Sequence, residues 1–151
     1  MKPAQLKPLA EVEAFSHVAL EVSDLERSIS FYREVLGLVV FHDDRANPSQ
    51  PNIKGIVAGL GFELAQSARP AIVSQKSSQP RLTSPCLSFA VKNLQTAFAS
   101  LTARGCVAQP EPSVTRGVRY FFFTDPDGHQ LELIEFPAPV RVLADLAARL
   151  S

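Results

Sequence analysis

The chain has 151 residues, close to the common size of a single domain and long enough to bury a core. Its 15 basic and 15 acidic side chains balance, so no field draws it toward nucleic acid or an anionic membrane, and no apolar run approaches the ~20 residues that span a bilayer. Residues 1–13 carry prolines and acids where a signal peptide would have an apolar core, and two cysteines make no disulfide framework, so a cytoplasmic protein is expected.

After this polar lead-in, residues 15–22 read as a strand with Val18, Leu20 and Val22 on one face and His17, Ala19 and Glu21 on the other. Ser23 and Glu26 have the spacing of a capping box, Leu25, Ile29, Tyr32 and Leu36 recur at helical intervals, and Gly37 suits a C-terminal cap. A second strand is expected over 38–41, followed by a polar, proline-containing loop over 42–52. Residues 53–58 and 60–66 read as a hairpin turning near Gly59, and 69–85, rich in Ser, Gln and Pro, as a connector.

The plan then repeats. Leu87, Phe89 and Val91 form the apolar face of a strand whose other face holds Cys86, Ser88 and Ala90. Asn93 caps a helix with Leu94, Phe98 and Leu101 at its packing positions, and Gly105 closes it. A short strand is expected over 106–108, a loop over 109–117 and a hydrophobic strand over 118–123. Asp125-Pro126-Asp127-Gly128 is a tight turn by composition, its Asp side chains bonding nearby backbone. The strand after it puts Leu131 and Leu133 on one face and Gln130, Glu132 and Ile134 on the other. Residues 138–151 suggest a short amphipathic helix.

An offset of 69 residues lays Glu63 over Glu132, His17 over Cys86 and Val22-Ser23-Asp24-Leu25 over Val91-Lys92-Asn93-Leu94. Two copies are too few for a solenoid, so a closed pseudo-symmetric domain is expected. A mid-strand carboxylate needs a partner, because its unpaired burial would cost several kcal/mol or neutralise it. His17, Glu63, Cys86 and Glu132 all lie opposite an apolar face, with small Ala19, Ala65 and Ser88 beside them. One imidazole, one thiol and two carboxylates make a plausible shell for a divalent metal. Arg119 and Phe121 are the candidates for substrate contact. His42 and His129 read as surface residues.

The stretch SHVALEVSDLERSISFYREVLGL, followed about a hundred residues later by FFFTDPDGHQLELIEF, resembles the vicinal oxygen chelate superfamily, which includes glyoxalase I, extradiol dioxygenases, fosfomycin-resistance enzymes and bleomycin-binding proteins. The resemblance implies an α+β fold, two βαβββ modules (14–68 and 84–137) pairing into an incomplete barrel, with 1–13 and 138–151 as extensions. It implies metal ligands at His17, Glu63, Cys86 and Glu132, with Glu63 or Glu132 as catalytic base and zinc, nickel, manganese or iron as the cation. Relatives build such sites within one chain or across a dimer, and a homodimer is expected. The implied activity is that of a glyoxalase-like lyase or isomerase acting on a small α-oxygenated carbonyl substrate. The alternative is a metal-free small-molecule binding protein of the bleomycin-resistance type. Two departures mark this chain: Cys86 stands where most metal-bearing relatives have histidine, and Glu21 stands where bacterial glyoxalase I has a glutathione-gripping arginine.

Overall fold

The computed structural model describes residue 10, residues 12–68 and 85–142, and residue 145. Most of the lead-in, the connector at 69–84 and most of the expected C-terminal helix lie outside the described residues.

Module one runs β1 (His17–Val22), α1 (Leu25–Leu36), β2 (Val39–Asp44), β3 (Asn52–Val57) and β4 (Leu60–Gln66). Module two runs β5 (Leu87–Ala90), α2 (Leu94–Ala103), β6 (Ser113–Thr115), β7 (Val118–Thr124) and β8 (Gln130–Glu135). The sheets have the same strand order, β1-β4-β3-β2 and β5-β8-β7-β6, with the first strand of each module parallel to its fourth. The two sheets do not pair with each other among the described residues. The fold is therefore α+β, two βαβββ modules forming an incomplete barrel.

Each module ties its helix to its last strand in the same way. The Leu25 N–H donates to Gln66 Oε1 at 3.1 Å, and the Leu94 N–H donates to Glu135 Oε2 at 2.6 Å. Both bonds satisfy a donor that the first turn of a helix otherwise leaves orphaned. Asn93 caps α2 by accepting from the Thr96 N–H. In α1 the cap is Asp24, which accepts from the Arg27 N–H at 3.0 Å, and not the Ser23 of the expected capping box. Ser23 is engaged elsewhere, as described below. Gly37 at φ 71° ends α1 as expected, in the left-handed region where a Cβ is disfavoured.

Strand β2 and the stretch around β6 also differ from expectation. Strand β2 extends to Asp44, because residues past Phe41 continue to pair with Asn52, Ile53 and Lys54 after a bulge. Residues 106–108 form no strand, and β6 lies instead within the stretch read as a loop, held by pairing with Val118–Tyr120. The hairpin between β3 and β4 turns on Ala58 (φ 48°) and Gly59 (φ 83°), two positive φ values that match the twist of the flanking strands.

The DPDG turn joins the modules. Asp125, 4% exposed, accepts from the backbone N–H of Asp127 and His129 at 2.9 and 2.8 Å, which shapes the turn, and from the Tyr32 hydroxyl of α1 at 2.9 Å. Asp127, 2% exposed, accepts from the Ser23 N–H (3.1 Å), the Ser23 hydroxyl (2.5 Å) and the Ser28 hydroxyl (3.3 Å). Two buried carboxylates are thus supplied with donors from the other module, which burial of a charge requires. Burial and the Asp125 charge push the Tyr32 hydroxyl pKa up, so it stays a donor. His129 is not a surface residue: its Nδ1 lies 2.8 Å from Asp125 and its side chain is 14% exposed. The Phe62 and Phe89 rings stack at 6.2 Å beside this joint.

Candidate metal centre

Both sheets have a helix face and an open face. On the helix face, Phe62 meets Tyr32 and Phe121 meets Phe98, and Leu64, Leu131 and Leu133 are buried among them. Alternation along a strand then sends every second residue to the open face. In module one these are His17, Ala19 and Glu21 on β1 with Gly61 and Glu63 on β4, since Ala19 pairs with Glu63 and His17 with Gly61. In module two they are Ser88 and Ala90 on β5, Glu132 and Ile134 on β8, and Tyr120 and Phe122 on β7, since Ser88 and Phe122 flank Glu132.

His17 Nε2 lies 3.4 Å from Glu63 Oε2, with side-chain exposures of 46% and 24%. Gly61 makes this possible: a Cβ there would stand 2.7 Å from the Ser16 carbonyl oxygen and 3.0 Å from His17 Cβ. The Ser16 hydroxyl lies 2.9 Å from His17 Nδ1. Were a cation held between Nε2 and Glu63, Nδ1–H donating to that oxygen would leave the Nε2 lone pair for the metal, the arrangement that orients a metal-binding imidazole. In module two, burial and then the nearby Glu132 carboxylate push the Cys86 thiol up to about 11. Without a cation beside it, this sulfur stays a neutral thiol at neutral pH.

The donors therefore stand as two pairs, His17 with Glu63 and Cys86 beside Glu132. The described residues of one chain assemble no group of three or more His, Cys, Asp or Glu side chains able to hold a metal. The donor types themselves suit a borderline first-row cation: imidazole, thiolate and two carboxylates are the ligands that zinc and its neighbours take.

Two candidates fall on the other face. Phe121 is fully buried on the helix face, 5.1 Å from the Phe98 ring. Arg119 pairs with Glu135 on β8, with its guanidinium 3.1 Å from Gln95 Oε1 and 3.8 Å from Glu135 Oε1, at the start of α2. Neither can line the face that holds Glu132, because odd-numbered residues of β7 point to the helices. The residues that do flank Glu132 are Phe122 and Tyr120, whose rings meet edge to face at 5.7 Å. In a strand reading VRYFFFT both faces are apolar, so only the pairing partner fixes which ring serves the site.

Residues 14–133 match the family described as the Glyoxalase/Bleomycin resistance protein/Dioxygenase superfamily. The chain is a member of that superfamily. Within it, the chain is 27% identical over 125 residues to the lactoylglutathione lyase of Haemophilus influenzae, covering 79% of this chain and 90% of that one. It is 27% identical over 122 residues to the glutathione transferase FosA of Serratia marcescens, covering 81% and 80% respectively. Among solved structures, the fosfomycin resistance protein FosX of Listeria monocytogenes, complexed with Mn(II) and sulfate, superposes with a TM-score of 0.65 at 17% identity. That likeness covers 85% of this chain and 96% of FosX and concerns the fold. No helix among the described residues is long and apolar enough to cross a membrane.

Proposed function

We propose that this superfamily member is a metal-dependent, glyoxalase-like lyase or isomerase of a small α-oxygenated carbonyl substrate, with its cation held by His17, Glu63, Cys86 and Glu132. The observation that carries the reading is the placement of the donors. Strands β1, β4 and β8 carry His17, Glu63 and Glu132, and Cys86 stands one residue ahead of β5, in positions related by the internal repeat, and His17 and Glu63 are already 3.4 Å apart. A bound divalent cation would supply charge stabilisation for neighbouring substrate oxygens in an enolate-like or oxyanionic state. Glu63 or Glu132 would take the proton from the adjacent substrate carbon. Phe122 and Tyr120 would form the apolar wall beside Glu132, and Ser88 and Ala19 leave room for the substrate.

The two pairs come together when a second copy sets its module two against module one of the first, which makes a homodimer part of the proposal. The open face of module one has an apolar margin suited to such a partner. Val39 and Ile56 pair across β2 and β3 on that face and are 67% and 45% exposed. Lactoylglutathione lyase and FosA are both named for reactions of glutathione adducts or glutathione itself. Glu21 shares the open face of β1 with His17 and stands where bacterial glyoxalase I has a glutathione-gripping arginine, which favours a substrate other than a glutathione adduct.

Elemental mass spectrometry on protein purified without chelators tests the metal. About one equivalent per chain is expected, reduced in Cys86→Ala. The Tyr120–Phe122 wall also suits a metal-free binding protein. Ligand binding that survives chelator, with no metal retained after reconstitution, would favour that second reading.

A further inference from the structure

The two modules meet at two seams that the internal repeat makes equivalent, and the chain treats them differently. At one seam the turn of module two fills the space against α1: Asp125 and Asp127 take hydrogen bonds from Tyr32, Ser23 and Ser28. At the other, the turn of module one faces α2. There the repeat places Ala97 where Ser28 stands and Leu101 where Tyr32 stands, and Ala58 where Asp127 stands. The turn is also shorter by one residue. Thr124 pairs with Gln130 around residues 125–129, whereas Ile56 pairs with Gly61 around residues 57–60. Ser28, Tyr32 and Asp127 of the first seam thus have apolar counterparts in the second, where only Ser23 keeps a polar one, Lys92, and the plug has lost length.

What remains is a cleft of about 500 Å³ between the modules. Its walls are Val57 and Leu36 of module one and Phe89, Ala97, Leu101 and Leu133 of module two. Its charged lining residues, Glu34 at the end of α1 and Arg104 at the end of α2, bond each other across the seam. The volume lies within the roughly 300–1,000 Å³ that small-molecule sites occupy, and close-packed interiors rarely leave such space open. We infer that this seam is a second ligand site, separate from the metal centre, for a small, uncharged, mainly apolar molecule that bridges the two modules. An uncharged ligand is indicated because the rim charges already satisfy each other, so a charged one would have to break that pair.

The test uses the full chain and N-phenyl-naphthylamine, an uncharged aromatic fluorophore, titrated with and without chelator. Saturable binding of one probe per chain, indifferent to chelator, is expected. Ala97→Phe, which fills the cleft, should weaken it by about tenfold or more. Ser100→Phe, placed on the exposed side of α2 at the same cleft, serves as the independent variant if Ala97→Phe fails to fold. Phe41→Ser, on the exposed edge of module one, should leave binding unchanged. Anilinonaphthalene sulfonate, with similar rings and a negative charge, should bind more weakly. Absence of saturable binding, binding unaltered by both filling variants, or loss of binding in Phe41→Ser would overturn the assignment. So would probe affinity that falls as protein concentration rises, since the cleft would then be covered by a second copy of the chain.

Discussion

Phe121 and Phe122 are adjacent in the chain and serve opposite faces. Phe121 is fully buried against Phe98, and Phe122 is the cross-strand neighbour of Glu132. Phe121→Ala should therefore cost about 3–5 kcal/mol in urea denaturation, whereas Phe122→Ala should cost less and act on ligand binding. Asp127→Ala should cost about 3 kcal/mol, because it strips a buried acceptor from the Ser23 N–H and from the Ser23 and Ser28 hydroxyls. His129 gives the same joint a pH dependence. The hydrogen bond to Asp125 raises its pKa above the ordinary value, partly opposed by burial. A raised histidine pKa contributes stability that is full below the unfolded value of about 6.5 and fades as pH rises through the folded value. The destabilisation caused by His129→Ala should accordingly be larger at mildly acidic than at alkaline pH when measured by denaturation across that range. The composition of the turn and its local bonds were legible in the sequence. The partners of Asp127 were not, since Ser23 and Ser28 lie about a hundred residues away and only the packing of α1 brings them there.

Helix and strand positions followed well from periodicity, because each helix buries a single stripe and each central strand buries one face. The errors fall where tertiary contacts override local preference. Ser23 has the spacing of a capping box with Glu26, yet its hydroxyl is taken by Asp127, and Asp24 caps α1 instead. Strand β6 is three residues long and exists only because Val118–Tyr120 offers it an edge. The parallel contact of β1 with β4 depends on a missing side chain. Gly61→Ala would put a Cβ 2.7 Å from the Ser16 carbonyl oxygen, which should cost about 1–3 kcal/mol and move His17 away from Glu63. Metal affinity should fall in that variant, measured by equilibrium dialysis, even where the fold survives.

At the scale of the molecule, the helix faces hold the two modules of one chain together, and the open faces carry His17, Glu63 and Glu132. The repeat made all four visible in the sequence, and the strand register puts His17, Glu63 and Glu132 on the open faces, with Cys86 one residue ahead of β5. How the pairs combine was not legible, because nothing local in a strand encodes which sheet will face it. The proposed dimer sets His17 and Glu63 of one copy against Cys86 and Glu132 of another. Co-expression of two inactive variants tests that arrangement most directly: His17→Ala/Glu63→Gln, spoiled in module one, and Cys86→Ala/Glu132→Gln, spoiled in module two. In a two-fold dimer with exchanged modules, each mixed dimer contains one site with both halves intact, so random pairing should restore about a quarter of wild-type metal binding. Metal binding no greater than that of either variant alone would contradict a site shared between two copies.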